Sequence, residues 1–266
     1  MSTPNLDELL ELAQKVAINA AELVVAGRSK VLANKDSVST KSSHTDPVTE
    51  MDQAAEKLIV DSIKSLRPDD GFIGEEGASS PGNSGVVWAI DPIDGTVNYM
   101  YGLPCWSVSV AALVDGESVA GCLVAPDLNK IYFATKGGGA FEKTGDQVKK
   151  LQVQAGATLD KCLLATGFSY KKERREAIAP IIAKVLPQVR DLRRLGAASI
   201  DIASVATGGV DAYVESGVRI WDYAAALLIA TEAGAEFLHR DQPWGEWLLV
   251  ARPGLKDELT QLTELL

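Results

Sequence analysis

The tightest constraint in this 266-residue chain is one segment, Trp88-Ala89-Ile90-Asp91-Pro92-Ile93-Asp94-Gly95-Thr96-Val97-Asn98-Tyr99. An apolar run of strand type, opening at Val86, delivers Asp91 at its carboxyl end. Pro92 then fixes the backbone, and Asp94 follows on the same tight turn. Two carboxylates this close repel each other by several kcal/mol in a partly buried site unless a cation neutralises them. Hard oxygen ligands select magnesium or calcium, and the sequence has no Cys/His cluster for zinc. Gly95 and Thr96 stand where a helix would begin, and unpaired N–H groups there suit an incoming phosphate. Taken alone, Asp94-Gly95 equally suits an ordinary type I turn.

Three further segments share this grammar of an acid at the end of an element. Phe72-Ile73-Gly74-Glu75-Glu76 is a short strand followed by paired acids, a pattern the helix macrodipole also favours. In Asp46-Pro47-Val48-Thr49-Glu50-Met51-Asp52 an acid precedes a helix. In Ile220-Trp221-Asp222-Tyr223-Ala224, Asp222 heads a strongly apolar helix, where N-capping is the simplest reading.

Around these segments the pattern predicts a helix from Leu6 to about Ala26 and another from an N-cap at Thr49 to just before Pro68. Strand runs broken by turn signals between Trp106 and Leu151 read as an antiparallel meander. Beyond Lys161 strands and helices alternate: strands at Cys162–Thr166 and Asp211–Glu215, helices near Arg174–Val185, Ala197–Ala206 and Trp221–Ala233. That alternation predicts layered α/β packing. With no linker in sight, the chain is expected to be one catalytic unit of two packed halves, about 1–150 and 151–266.

Composition excludes some functions. A formal charge of −10 disfavours a nucleic-acid partner. The basic stretch Lys171-Lys172-Glu173-Arg174-Arg175 is interrupted by an acid and reads as a solvated helix start. No apolar run approaches the roughly 18 residues of a membrane span. The acidic N-terminus shows no signal-peptide pattern. Three scattered cysteines, Cys105, Cys122 and Cys162, point to reduced thiols and a cytoplasmic location. His44 and His239 stand in polar surroundings and read as surface residues.

The four acidic blocks, in this order and covering nearly the whole chain, resemble the inositol monophosphatase family of magnesium-dependent, lithium-sensitive phosphatases. The resemblance implies a layered α-β-α-β-α sandwich of mixed α/β (α+β) class, commonly a homodimer, and two or three Mg2+ ions per site. It implies that Glu75, Asp91 and the Ile93 carbonyl hold one ion, and that Asp91, Asp94 and Asp222 hold a second. Glu75 and Thr96 would position the attacking water, with Asp46 holding the Thr96 hydroxyl. Gly95 and Thr96 N–H groups would grip the phosphate. Ala198 and Glu215 match positions that meet a small phosphorylated polyol or sugar-like substrate, as Asp94 and Asp222 also do, and Glu76 matches a supporting acid. Inositol monophosphate is the expected substrate.

Rival substrates share the metal blocks. Val97-Asn98-Tyr99 after the Asp-Gly-Thr step differs from the Lys-Glu usual in nucleotide bisphosphate phosphatases, and Thr96 from the Ser-Ser-Asn usual in fructose bisphosphatases. Histidinol phosphatases share the same metal blocks and stay open as an alternative, although Gly167-Phe168-Ser169-Tyr170 resembles bacterial inositol phosphatases more. A regulatory protein on this fold would be expected to have lost a ligand acid, and Asp46, Glu75, Asp91, Asp94 and Asp222 are all present.

Overall fold

The computed structural model describes residues 4–33, 39–40, 47–48, 50–242 and 245–263. Its backbone is two mixed sheets with helices on both faces of each. A long helix α1 (Leu6–Ala33) is followed by a two-stranded ribbon, β1 (Ser39–Thr40) with β2 (Pro47–Val48), and by α2 (Glu50–Leu66). The first large sheet collects β3 (Gly71–Gly74), β4 (Ser79–Ser80), β5 (Val86–Asp94), β6 (Ser107–Val114), β7 (Glu117–Ala125), β8 (Lys130–Thr135), β9 (Gly139–Thr144) and β10 (Gln147–Lys150). Its order is β10-β9-β8-β7-β6-β5-β3-β4, and β3–β5 is the parallel pair. A short helix, α3 (Thr96–Tyr101), leaves the end of β5.

The second sheet is built from β11 (Leu163–Thr166), β12 (Asp191–Arg193), β13 (Ala212–Val218), β14 (Glu236–Gln242) and β15 (Gly245–Ala251), in the order β12-β11-β13-β15-β14. Its helices are α4 (Lys172–Val185), α5 (Ala198–Thr207), α6 (Ile220–Glu232) and α7 (Lys256–Thr263).

Period-two alternation sorts the strand side chains into layers. In β6, Val108, Val110 and Ala112 join the cluster with Leu9, Val16, Ile59 and Ile63 of α1 and α2. Their neighbours Ala111 and Leu113 face the other way, into a cluster with Ala203 of α5 and Ala225 and Ile229 of α6. Tyr213, Leu248 and Val250 of the second sheet close on that same cluster, whereas Val214, Trp247 and Leu249 pack outward with Ile178, Val185 and Leu259 of α4 and α7. The layers therefore run α1/α2, sheet, α5/α6, sheet, α4/α7: the expected α-β-α-β-α sandwich.

Helix α6 is apolar nearly all round because it is covered by a sheet on each side. Its alanines permit a close approach: a Cβ on Gly121 of β7 would lie 2.9 Å from the Ala225 Cα.

Three differences from the sequence reading have physical causes. α1 continues through Gly27 to Ala33, since the missing Cβ there makes room for Met51 of α2. Asp222 is the third residue of α6 and not its N-cap; Arg219 holds that place. The β14–β15 pair and α7 had no counterpart in the reading: exposed, charged β14 lacks a sustained apolar pattern, and without it the apolar run of β15 stood as an isolated strand signal. Cys122 and Cys162 are buried, free core residues, and Cys105 is half-buried and free. His239 is exposed, as expected, while His44 lies outside the described residues. Among the described residues no helix is long and apolar enough to cross a membrane.

Gly121→Val should lower stability by about 1–3 kcal/mol, the range for overpacking a filled interior. It should also reduce turnover, because α6 carries Asp222 at its head. Urea unfolding beside a phosphate-release assay measures both, and wild-type values in both would contradict the packing described.

Candidate active site

β5 supplies two acids through an irregularity. Asp91 pairs with Ser109 and Asp94 with Ser107, so three steps on β5 oppose two on β6. In a regular strand residues three apart point to opposite faces. The extra residue lets Asp91 and Asp94 line one cavity. The Ile93 N–H donates to Asp91 Oδ1 at 3.0 Å, and the Thr96 hydroxyl donates to the Ile93 carbonyl at 3.1 Å. Gly95 links strand to helix with φ of 87°, and a Cβ there would meet the Cys105 carbonyl at 2.9 Å and the Ala197 Cβ at 3.0 Å. Only glycine fits that conformation and that space without strain.

Glu75 follows β3, the parallel neighbour of β5, and its N–H donates to the Ile90 carbonyl. The loop behind it is pinned by Glu56 of α2, which accepts hydrogen bonds from the N–H groups of Glu76 and Ala78. Asp222 accepts a hydrogen bond from the Arg219 N–H at 2.7 Å. Asp94 is the most firmly held: it accepts from the N–H groups of Ala198 and Ser199 and from the Ser199 hydroxyl. Ser199 in turn bonds Ser107 of β6.

Glu75, Asp91, Ile93, Asp94, Gly95, Thr96, Ala198, Glu215 and Asp222 all line a single cavity of about 390 Å³. Asp46 lies outside the described residues. Glu76 is half-buried and is not among the lining residues; its N–H donates to Glu56.

The electrostatics are those of crowded acids. Burial, then Glu75, Asp94 and Asp222, hold the Asp91 carboxyl well above the usual range. Burial, then Glu75 and Asp94, do the same to Asp222. Asp94 is pushed up to about 6 by burial, with the Ser199 hydrogen bonds opposing. Like charges in low dielectric cannot all ionise without compensation. A set of carboxylate oxygens converging in this way fits a hard divalent cation, which removes the repulsion and takes the available lone pairs.

Beyond the acids the lining changes character, to Gly167, Phe168, Ser169, Arg174, Arg194, Asp201 and Glu215. Glu215 accepts a hydrogen bond from the Tyr213 hydroxyl, and burial raises it to about 7 against Tyr213 and Arg194. Burial, then Glu215 and Asp94, raise Asp201 to about 8, with Arg194 and the Gly196 N–H opposing. No cysteine lines the cavity.

Residues 5–265 match the inositol monophosphatase family. The chain belongs to that family. An inositol-1-monophosphatase from Mycobacterium leprae is 42% identical over 97% of this chain and 95% of its own. A fructose-1,6-bisphosphatase/inositol-1-monophosphatase from Thermotoga maritima is 38% identical over 75% of this chain and 73% of its own. The solved structure of Mycobacterium tuberculosis SuhB superposes with a TM-score of 0.85 at 38% identity, covering 98% of both chains. The protein is thus a phosphatase, and metal dependence belongs to its family.

Sequence reasoning missed the parts played by Glu56, Arg194, Ser199, Asp201 and Gly167. It read Arg174 as part of a solvated helix start, whereas Arg174 lines the cavity and donates to the Ser216 hydroxyl. Glu56 and Asp201 did carry a signal, an acid inside the apolar face of a helix. Ser199 and Gly167 act through contacts distant in sequence and carried none.

Gly167 makes space for Glu215: a Cβ would stand 1.8 Å from Glu215 Oε2. A structure of Gly167→Ala should therefore show the Glu215 carboxyl displaced and its Tyr213 hydrogen bond lost. An unmoved Glu215 would contradict this packing.

Proposed function

We propose that this phosphatase hydrolyses small polyol phosphate monoesters, inositol monophosphate first among them, with two or three Mg2+ ions per site. The observation that carries the reading is the convergence of Glu75, Asp91, Asp94 and Asp222 on one cavity that also contains Glu215 and Ala198. A volume of about 390 Å³ suits a ligand of this size.

Glu75, Asp91, the Ile93 carbonyl, Asp94 and Asp222 would hold the ions. Magnesium bound there supplies two things, a water acidic enough to yield hydroxide near neutral pH and a positive charge for the departing oxygen. The remaining work falls to the chain. The Thr96 hydroxyl donates its hydrogen bond to the Ile93 carbonyl, so its own lone pairs remain to accept from the attacking water. Glu75 accepts the water's other proton. Ile93 keeps a second lone pair on its carbonyl for a cation. The N–H groups of Gly95 and Thr96 face the phosphate, and Asp46 completes the support of Thr96. Glu215, with Ala198, meets substrate hydroxyls and orients the leaving group.

Both halves, about 1–150 and 151–266, serve this one reaction, because Asp94 from the first is clamped by Ala198 and Ser199 of the second. The enzyme is proposed to act as a cytoplasmic, lithium-sensitive homodimer. A sugar bisphosphate is the second reading, favoured by Arg174 and Arg194 in the lining, which suit a second anionic group.

Phosphate release from inositol 1-phosphate should vanish on exhaustive chelation and return with magnesium. Asp91→Asn keeps the shape and removes a carboxylate charge that would hold the cations. It should lower kcat/KM by at least about a thousandfold, roughly 4 kcal/mol of transition-state stabilisation. Full turnover without metal, or near-normal turnover of Asp91→Asn, would sink the mechanism.

A further inference from the structure

Among the buried acids that the phosphoryl chemistry leaves unused, Asp201 lines the cavity, whereas Asp52, Glu56 and Asp70 do not. Asp201 lies in the first turn of α5 and is 1% exposed. Its Oδ1 is buried and has no hydrogen-bond partner. Helical spacing sets it one turn on from Ala198, and both residues face the same space. Arg194 and the Gly196 N–H stabilise the carboxyl from one side, while Glu215 of β13 faces the same region. Buried polar atoms in folded proteins are almost always paired, so an unpaired oxygen on a residue that lines the cavity points to a partner that arrives with the ligand.

The chemistry of that partner is restricted. A phosphate oxygen is an acceptor only, so it cannot donate to Oδ1, and an ionised Asp201 or Glu215 would repel it. A hydroxyl both donates and accepts, so it satisfies Oδ1 in either protonation state of the carboxyl. Two acids on separate elements suit two hydroxyls of one molecule better than one.

We propose that Asp201 is a specificity-determining residue which, with Glu215, takes hydroxyl groups of a polyol or sugar phosphate on the non-phosphate side of the cavity. This rests on the polyol reading of Glu215 given above. The pair makes the enzyme prefer leaving groups rich in hydroxyls over aryl phosphates of similar size.

The experiment compares kcat/KM for inositol 1-phosphate with that for p-nitrophenyl phosphate, whose leaving group offers no donor. Asp201→Ala should lower the ratio of the two about tenfold, mainly through a higher KM for the inositol ester. Asp201→Asn keeps the volume and one acceptor and should lower the ratio about threefold; it decides the matter if the alanine variant does not fold. A ratio within twofold of wild type for Asp201→Asn and for folded Asp201→Ala, including equal losses on both substrates, overturns the inference. Glu215→Gln run in parallel separates the two levels. An unchanged ratio there overturns the polyol reading itself. A fallen ratio for Glu215→Gln with an unchanged one for the Asp201 variants overturns only the role of Asp201.

Discussion

Mutual repulsion among four carboxyl groups is the constraint around which this molecule is arranged. Asp91 is 2% exposed, and burial together with Glu75, Asp94 and Asp222 acts in one direction on it. An isolated buried charge is costly, and a cluster of like charges costs more. The fold holds the cluster together with backbone donors at its periphery: Ile93 for Asp91, Ala198 and Ser199 for Asp94, Arg219 for Asp222. These bonds fix where each carboxyl points and leave its remaining lone pairs toward the cavity. A cation held by that cluster would be coupled to folding through this arrangement.

Close approach makes the convergence reachable. Four acids arriving from β5, the loop after β3 and the head of α6 require the two sheets to come near each other through a thin middle layer. The alanines of α6 and the bare Cα of Gly121 supply that thinness. Gly95 lets the chain turn from β5 into α3 beneath Ala197, and Gly167 lets β11 lead past Glu215. Packing residues far from the chemistry thus set the spacing that the chemistry needs.

Much of this was legible in the sequence. The Asp91–Thr96 segment announces itself because a strand-type run ends in two acids; the same grammar singles out the segments of Glu75 and Asp222, and family resemblance gave those acids roles and added Ala198 and Glu215. The antiparallel meander followed from turn residues spaced between apolar runs. Other features were hidden for physical reasons. The β5 bulge depends on a partner strand's register, which no local pattern records. Ser199 looks like any small helical residue until Asp94 is placed 105 positions away in sequence against it. Glu56 and Asp201 were visible as acids on apolar helical faces, yet what each faces is a tertiary fact. β14 was overlooked because an edge strand with Glu236, His239, Arg240 and Asp241 has little apolar alternation to read.

The central claim is that the acid cluster is unstable when charged and becomes stable when a cation occupies it. The direct measurement is the thermal unfolding midpoint of chelator-treated protein from pH 5 to pH 8, with and without magnesium. Acids whose folded pKa is raised bind more protons in the folded state, so their contribution to stability is lost as pH rises. Asp94, raised to about 6, places part of that loss within this range, and Asp91 and Asp222, held well above the usual carboxyl range, act in the same direction. The account predicts a midpoint that falls with pH in the metal-free protein and a much shallower fall once magnesium is added. A metal-free midpoint that is flat or rising, and identical with magnesium present, would contradict it.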